Sequence, residues 1–346
     1  MSRVSVVVPV YNVEDYLDEC LASITGQTLR DIEIVCVDDG STDSSADILR
    51  GWASRDDRIR VVSKPNGGLS SARNAGIQAA SSPVLCFVDS DDTIVPTCCE
   101  EIARRFDEES YDVFTYGANI VPPEAAYPWL EDVLSPGDAV YDGFDPDILF
   151  KEKSRPFAWR TACRTAFLRD EGLRFDETVR FGEDQVFYFA VYPRSRKTVF
   201  SSHKLYNYRA SRAGSLMTTV KNDPVYKMGE HVKILTVICR EWKASGSAPL
   251  CPAQFVAFAL DFALYGALKF SNEDYGRIAQ GVEDALHTCW SSQELTSLRL
   301  PKYTGQMLEE ACLSRIESPL ARKRLALSYY AQQYGKRAAL ARLLGR

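Results

Sequence analysis

Histidine is scarce in this chain: His203, His231 and His287 are its three histidines in 346 residues, and they stand far apart with no ligand spacing. A histidine-based metal centre is therefore not expected. The ten cysteines are scattered and only Cys98 and Cys99 are adjacent, so neither a zinc knuckle nor a secreted disulfide framework is present. They read as small buried hydrophobes in a reducing cytoplasm. Excess positive charge is missing too. A net charge of −6 argues against general nucleic-acid binding, which needs a positive field to exchange for phosphate counterions. The N-terminus shows no basic start, no apolar signal core and no cleavage site, so nothing in it directs export. Long apolar runs are lacking as well: the window from Phe255 to Phe270 is shorter than a bilayer span and carries Asp261 near its middle. A buried helix explains it better.

What the chain does have is alternation. "VSVVVPV" (4–10) is a strand-like valine run, followed by apolar residues at helical spacing from Val13 to Ile24, with Asn12 as the expected N-cap. "IEIVCV" (32–37), "RVV" (60–62) and "VLCFV" (84–88) continue the pattern, with helices expected from Ser41 or Thr42, after Gly67-Gly68, and from Pro96 to about Glu108. "YDVFTYG" (111–117) closes it. Strands alternating with helices of this length imply parallel crossovers and an α/β sheet covered on both faces. Residues 118–155 have no clear period and read as an insertion or an acceptor-side loop region; a strand-like "KTVF" follows at 197–200, and beyond about residue 222 the chain reads as helices only. The expected division is 1–220, with halves of about 1–117 and 118–220, followed by a helical C-terminal subdomain at 221–346.

Open parallel sheets bind ligands at the carboxyl ends of their strands. Here Tyr11-Asn12, Asp38-Asp39 and Asp89-Ser90-Asp91-Asp92 fall at those ends, so groups distant in sequence should meet at one sheet edge. A carboxylate-lined pocket without a Cys/His cluster suits Mg²⁺ or Mn²⁺ sharing its coordination with phosphates. The other reading of the aspartates is a cap cluster, since Asp91 and Asp92 precede Pro96 and would offset a helix dipole there.

"VSVVVPVYN", "VDDGSTD", "NGGLSSARNAG", "FVDSDD" and "GEDQVF" occur in the order and approximate spacing of the family 2 glycosyltransferases, inverting enzymes of the GT-A fold, and the chain resembles that family over roughly residues 3–215. The resemblance implies a fold of mostly parallel sheet flanked by helices, with nucleotide-sugar contacts at Pro9, Tyr11, Asn12, Asp39, Asn66, Arg73, Asp89 and Ser90. It implies that Tyr11 stacks on a uracil, that Asp39 accepts the imide N–H of the base, and that Arg73 lies near the base and diphosphate. An ionised carboxylate only accepts hydrogen bonds, which favours uracil or thymine over cytosine and hence a UDP-sugar donor. By the same resemblance Asp89 holds the ribose or a metal-bound water and Asp91 ligates Mn²⁺ or Mg²⁺ between the phosphates. Asp184 is then the general base, with Glu183 beside it on the acceptor side, and Arg209, Arg212 and Ser215 belong to a segment that closes over the diphosphate. Asp92 is either a partner supporting the metal ligand or a helix cap, and the cap is the favoured reading.

The expected activity is single-sugar transfer to a hydroxyl of a glycan or lipid-linked acceptor in surface polysaccharide biosynthesis. The Gln-x-x-Arg-Trp signature and the long apolar spans of processive polymerases are absent. Two alternatives are weighed against this reading. A sugar-nucleotide pyrophosphorylase would need a glycine-rich basic loop after the first strand, where this chain has Tyr11-Asn12-Val13-Glu14; a non-catalytic nucleotide-sugar-binding scaffold would not need Asp39, Asp91 and Asp184 intact. From Arg322 to Arg346 seven Lys and Arg residues come without an Asp or Glu and alternate with Leu and Tyr. Such a basic amphipathic segment suits peripheral contact with the inner face of a membrane, or equally a solvated or partner-binding face.

Overall fold

The protein is described by a computed structural model covering residues 2–210 and 223–343. It divides into two compact units, Met1–Ala213 and Gly214–Arg346. The first is built on a nine-stranded sheet.

Strand β1 (Val4–Val10) is buried along its whole length, as its run of valines demands. It pairs in parallel with β2 (Ile32–Asp38) and β4 (Val84–Phe87), and β2 pairs in parallel with β3 (Ile59–Ser63). Pro9, which has no N–H to give, lies beyond the last β4 pairing at Val7, so only its β2 side is laddered. The crossovers are helices α1 (Glu14–Thr25), α2 (Ser45–Ala53) and α3 (Leu69–Ala79). Helix α3 lies so close on β1 that a Cβ added at Gly76 would stand 2.1 Å from Val7 Cγ1. Helix α4 (Cys98–Glu108) buries Ile102, Ala103 and Phe106.

Two expected helix starts move, for one reason. The N-termini of α1 and α2 cap each other across the loop that joins β2 to α2. Ser45 Oγ accepts from Val13 N (3.0 Å) and Asp43 Oδ2 from Glu14 N (3.1 Å), while Glu14 Oε2 accepts from Ser44 N (2.8 Å). These bonds satisfy donors that every helix leaves open at its start. Asn12, at φ +50°, is therefore not the N-cap of α1; its Oδ1 accepts from Thr42 N (2.8 Å), and Asp38 Oδ1 accepts from Ser41 N (3.0 Å). Held by these side chains, residues 41–43 stay out of the helix, which opens at Ser45.

Beyond β4 the sheet becomes mixed. Its order is β3-β2-β1-β4-β8-β6-β9-β5, with β7 also paired to β9. β8 (Thr161–Arg164) is antiparallel to β4 and to β6 (Val113–Val121), and β6 is parallel to β9 (Lys197–Arg209). Short strands β5 (Thr93–Ile94) and β7 (Ala139–Asp142) pair antiparallel with β9. β9 is far longer than "KTVF". Polar Ser202, His203 and Lys204 interrupt its apolar run where the ladder bulges against Gly117, and Leu205 and Tyr206 then resume buried pairing. The 118–155 region likewise holds structure: the end of β6, α5 (Pro128–Val133), β7 and α6 (Pro146–Phe150). Helices α7 (Thr165–Asp170) and α8 (Glu183–Val191) complete this unit.

The second unit is helical in its described residues, with Pro224–Ser245, Asn272–Cys289 and Pro319–Tyr334 as its longest helices. Its core includes Ile234, Leu235, Ile238, Phe255, Val282, Leu286 and Met307, all fully buried. The window around Asp261 is a broken helix, α at Pro252–Ala259, π at Leu260–Leu264 and 3₁₀ at Tyr265–Lys269, and Tyr329 Oη donates to Asp261 Oδ1 (3.1 Å). Among the described residues no helix is long and apolar enough to cross a membrane. Arg322 does not belong to a solvent-facing basic stripe. It is buried over the Tyr275 ring (4.2 Å) and donates to Asn272 Oδ1 (2.8 Å), whereas Lys323, Arg324, Lys336 and Arg337 are exposed.

Candidate functional site

The end of β1 delivers Tyr11, and the end of β2 delivers Asp39 beside it, because Asp39 N donates to Val10 O (2.9 Å). Tyr11 is 47% exposed and Asp39 only 2%. The Asp39 carboxylate accepts from Lys64 Nζ (2.5 Å), Gly67 N (3.0 Å) and Gly68 N (2.7 Å), and Asn66 Nδ2 donates to Asp39 O (3.0 Å). Gly40 makes this closure possible. It sits at φ +75°, and a Cβ there would stand 2.9 Å from Asn66 N. Lys64 was not singled out from sequence; the signal was a lone cation immediately before Pro65-Asn66-Gly67-Gly68.

Those glycines lead into α3, and Arg73 follows one turn along it. Arg73 is buried, with Nη2 donating to Asp89 Oδ1 (2.9 Å) and Nη1 to Glu183 Oε1 (2.7 Å), and its guanidinium carbon lies 5.2 Å from the centre of the Phe175 ring. Burial works against its charge, but the two carboxylates outweigh burial and hold it firmly protonated. Asp89 and Glu183 are in turn raised above ordinary carboxylate values by burial, a shift that the Arg73 charge limits.

The aspartates after β4 are locked by β9. Asp92 is a buried anchor for that strand and not a helix cap, since α4 begins only at Cys98. Its Oδ2 accepts from Tyr206 Oη (2.8 Å) and its Oδ1 from Arg209 N (2.6 Å), while Tyr206 Oη also accepts from Asp89 N (3.0 Å). Burial, then the charges of Asp91 and Asp89, raise Asp92 well above its usual range. Arg209 reaches this loop, but its guanidinium donates to Asp91 O (2.8 Å) and Glu19 Oε2 (2.6 Å) and lies over the Tyr16 ring. Ser90 is buried and Asp91 half-buried. Arg212 and Ser215 lie outside the described residues.

On the far flank α8 presents Glu183 and Asp184. Asp184 Oδ2 accepts from Phe157 N (2.6 Å) and its Oδ1 from Gln185 N (2.8 Å). Phe157 holds φ +77°, a costly conformation for a residue with a side chain, and Tyr188 Oη donates to its carbonyl (2.8 Å). Burial raises Asp184 above the ordinary aspartate value, against the pull of the Phe157 N–H and of Arg73. A half-buried carboxylate with a raised pKa and fixed orientation is suited to taking a proton.

Asp89, Arg73 and Glu183 thus form one hydrogen-bonded chain, Asp184 adjoins it, and Asp39 grips the loop from which Arg73's helix starts. Among the described residues no group of three His, Cys, Asp or Glu side chains is arranged as a metal cage. Asp91 and Asp89 at one strand end still fit Mg²⁺ or Mn²⁺, which take one or two carboxylates and leave other positions to water and phosphate oxygens.

A parallel half-sheet with acidic strand ends, joined to a mixed flank against which the Glu183–Asp184 pair lies, defines an α/β protein of the GT-A class. The family model described as "Glycosyl transferase family 2" matches residues 5–163. The chain belongs to glycosyl transferase family 2. It is 32% identical to the uncharacterized glycosyltransferase EpsJ of Bacillus subtilis over 238 residues, 66% of each chain. It is also 30% identical to the poly(ribitol-phosphate) beta-glucosyltransferase of Bacillus spizizenii over 246 residues, 68% of this chain but 37% of that protein. These matches span less than two thirds of the relatives' own length. The crystal structure of S. aureus TarS 1-349 in complex with UDP has the same fold, with a TM-score of 0.72 at 21% identity, covering 96% of this chain and 92% of that one.

Proposed function

We propose that this protein is an inverting, metal-dependent glycosyltransferase that moves a sugar from a nucleoside diphosphate sugar, with UDP as the nucleotide, to a hydroxyl of a glycan or glycolipid acceptor in surface polysaccharide synthesis. The observation that carries the reading is Asp184, a carboxylate of raised pKa fixed by Phe157 N and adjoining the Arg73–Asp89 ion pair. The UDP bound in TarS and the acceptor named for the Bacillus spizizenii relative point in the same direction.

In this scheme Tyr11 stacks on the base, and Asp39 uses its remaining acceptor capacity for the imide N–H, since a carboxylate offers about four lone-pair sites and three donors now occupy it. Lys64 pairs with one oxygen of that carboxylate and so fixes its orientation. Asp91 and Asp89 hold the divalent ion, whose contribution when bound is to neutralise charge that builds on the leaving diphosphate. Arg73 orients Asp89 and Glu183, and Asp184 removes the proton of the attacking hydroxyl. Arg209, with its guanidinium spent on Asp91 O and Glu19, acts here by holding the aspartate loop to α1. The exposed Lys323, Arg324, Lys336 and Arg337 are candidates for contact with an anionic membrane face where a lipid-linked acceptor is presented.

The test is a panel of nucleotide sugars incubated with the protein and Mn²⁺, scored for release of the nucleoside diphosphate. One donor should be turned over and the rest spared. Silence across the whole panel, with and without candidate acceptors, sinks the reading.

A further inference from the structure

Six aromatic rings run without a break from the sheet to the surface beside Asp184. Trp159 stacks on Tyr206 (centroids 4.0 Å apart) and on Tyr208 (5.3 Å), Phe157 stacks on Trp159 (5.1 Å), Trp129 meets Phe157 edge-on (6.4 Å), and Tyr127 stacks on Trp129 (6.1 Å). The inner rings are core: Trp159 is 2% exposed and Tyr206 fully buried. The outer two are not, with Tyr127 at 44% and Trp129 at 51% exposed. They are not needed to seat α5 either, because Leu130 and Val133 do that from its buried side, and the buried Arg160 guanidinium donates to the Val133 and Lys153 carbonyls. Two large rings on a well-anchored turn, turned toward solvent, form a surface suited to binding.

Its place says what it would bind. Phe157 is shared: its ring meets Trp129, and its N–H holds the carboxylate proposed as base. Tyr208, between the platform and the aspartate loop, is raised by burial and then by the charges of Asp92, Asp89 and Asp91. A molecule lying on Tyr127 and Trp129 is therefore a neighbour of the reacting centre. Its charge is constrained as well. Residues 118–133 contain Glu124, Glu131 and Asp132 and no Lys or Arg, and the nearby Lys153 is committed to Asp132 (2.7 Å). Arg155, the next cation along the chain, turns its guanidinium to Gln185 Oε1 (3.0 Å) and to the Phe150 and Phe189 rings. Aromatic faces carry negative quadrupole charge, which attracts the weakly positive C–H face of a pyranose and disfavours a phosphate.

We infer that Tyr127 and Trp129 are the acceptor subsite, and that the unit seated there is a neutral pyranose and not a phosphate of a polyol-phosphate chain. This rests on the transferase reading for the meaning of "acceptor", but the binding it asserts is measurable without turnover. The probes are methyl β-glucoside, methyl β-galactoside, lactose, cellotriose and N,N′-diacetylchitobiose, set against a synthetic ribitol-phosphate trimer. Each is titrated by saturation-transfer NMR into the unaltered protein and into Trp129→Ala, Trp129→Phe and Tyr127→Ala, with far-ultraviolet circular dichroism and UDP calorimetry on every variant. At least one neutral saccharide should bind through its C–H face, weakened about tenfold by Trp129→Ala and largely kept by Trp129→Phe, with UDP affinity unchanged. No Trp129-dependent saccharide binding, or tighter binding of the ribitol-phosphate trimer at this platform, overturns the inference. Loss of UDP binding in the unaltered protein would instead strike the transferase reading and leave the saccharide result to stand or fall alone.

Discussion

For the base proposed at Asp184, activity depends on where a proton sits. Burial raises its pKa, so it is protonated at pH values where a free aspartate has already ionised. The sign for activity follows, since a base must be ionised to act and turnover is lost as pH falls through the raised value. The acid limb of kcat/KM should therefore lie above about pH 4, the ordinary aspartate position. Asp184→Asn should lower the transfer rate by at least about a hundredfold, the scale of one general base, while UDP affinity by calorimetry stays within about twofold. Equal loss of both would remove Asp184 from the role of base. The placement of these carboxylates was legible in advance, because a carboxylate pair opening a helix and aspartates ending strands leave a mark in sequence. Lys64 was not, since its partner Asp39 is recognisable as a neighbour only once β2 and β3 lie side by side. Arg209 was legible in place but not in use: sequence does not reveal that Glu19 and Asp91 O take up its donors.

Among the elements, the parallel strands announced themselves through continuous apolar runs, while β5, β7 and the outer half of β9 did not. Two residues make β5 and a polar stretch splits β9, so their pairing is dictated by neighbours and not by local pattern. The start of α2 escaped for a similar reason, because the groups that hold 41–43 out of the helix, Asn12 among them, include one from another crossover. A sharper constraint is Gly76, where α3 lies directly on Val7. Gly76→Ala should force the helix off the strand and cost about 1–3 kcal/mol despite its better helix propensity. Urea denaturation can check this, and pairing it with Val7→Ala should restore part of the loss. An unchanged or raised midpoint would show that the contact can relax freely.

Across the whole molecule, the fold class was readable because alternation and acidic strand ends recur in order, whereas the mixed pairing of the flank was not, because its strands are separated by long connections and β5, β7 and β8 are short. The proposed ion gives a test at this scale. Asp89, Asp91 and Asp92 crowd one strand end, and Arg73 and Arg209 give only partial relief. Stripping divalent ions with EDTA should abolish donor turnover and weaken UDP binding about tenfold or more, with Mn²⁺ restoring both. UDP affinity indifferent to EDTA and Mn²⁺ would exclude the ion from donor binding.

Because a single guanidinium is split between Asp89 after β4 and Glu183 at the start of α8, redesign of either side cannot be local. An engineer who neutralises Asp89 to alter the proposed nucleotide site hands more of that cation to its opposite neighbour, and the flank carrying the proposed base is retuned along with the region that was meant to change. Libraries that vary both flanks together should accordingly recover working variants that one-sided libraries miss.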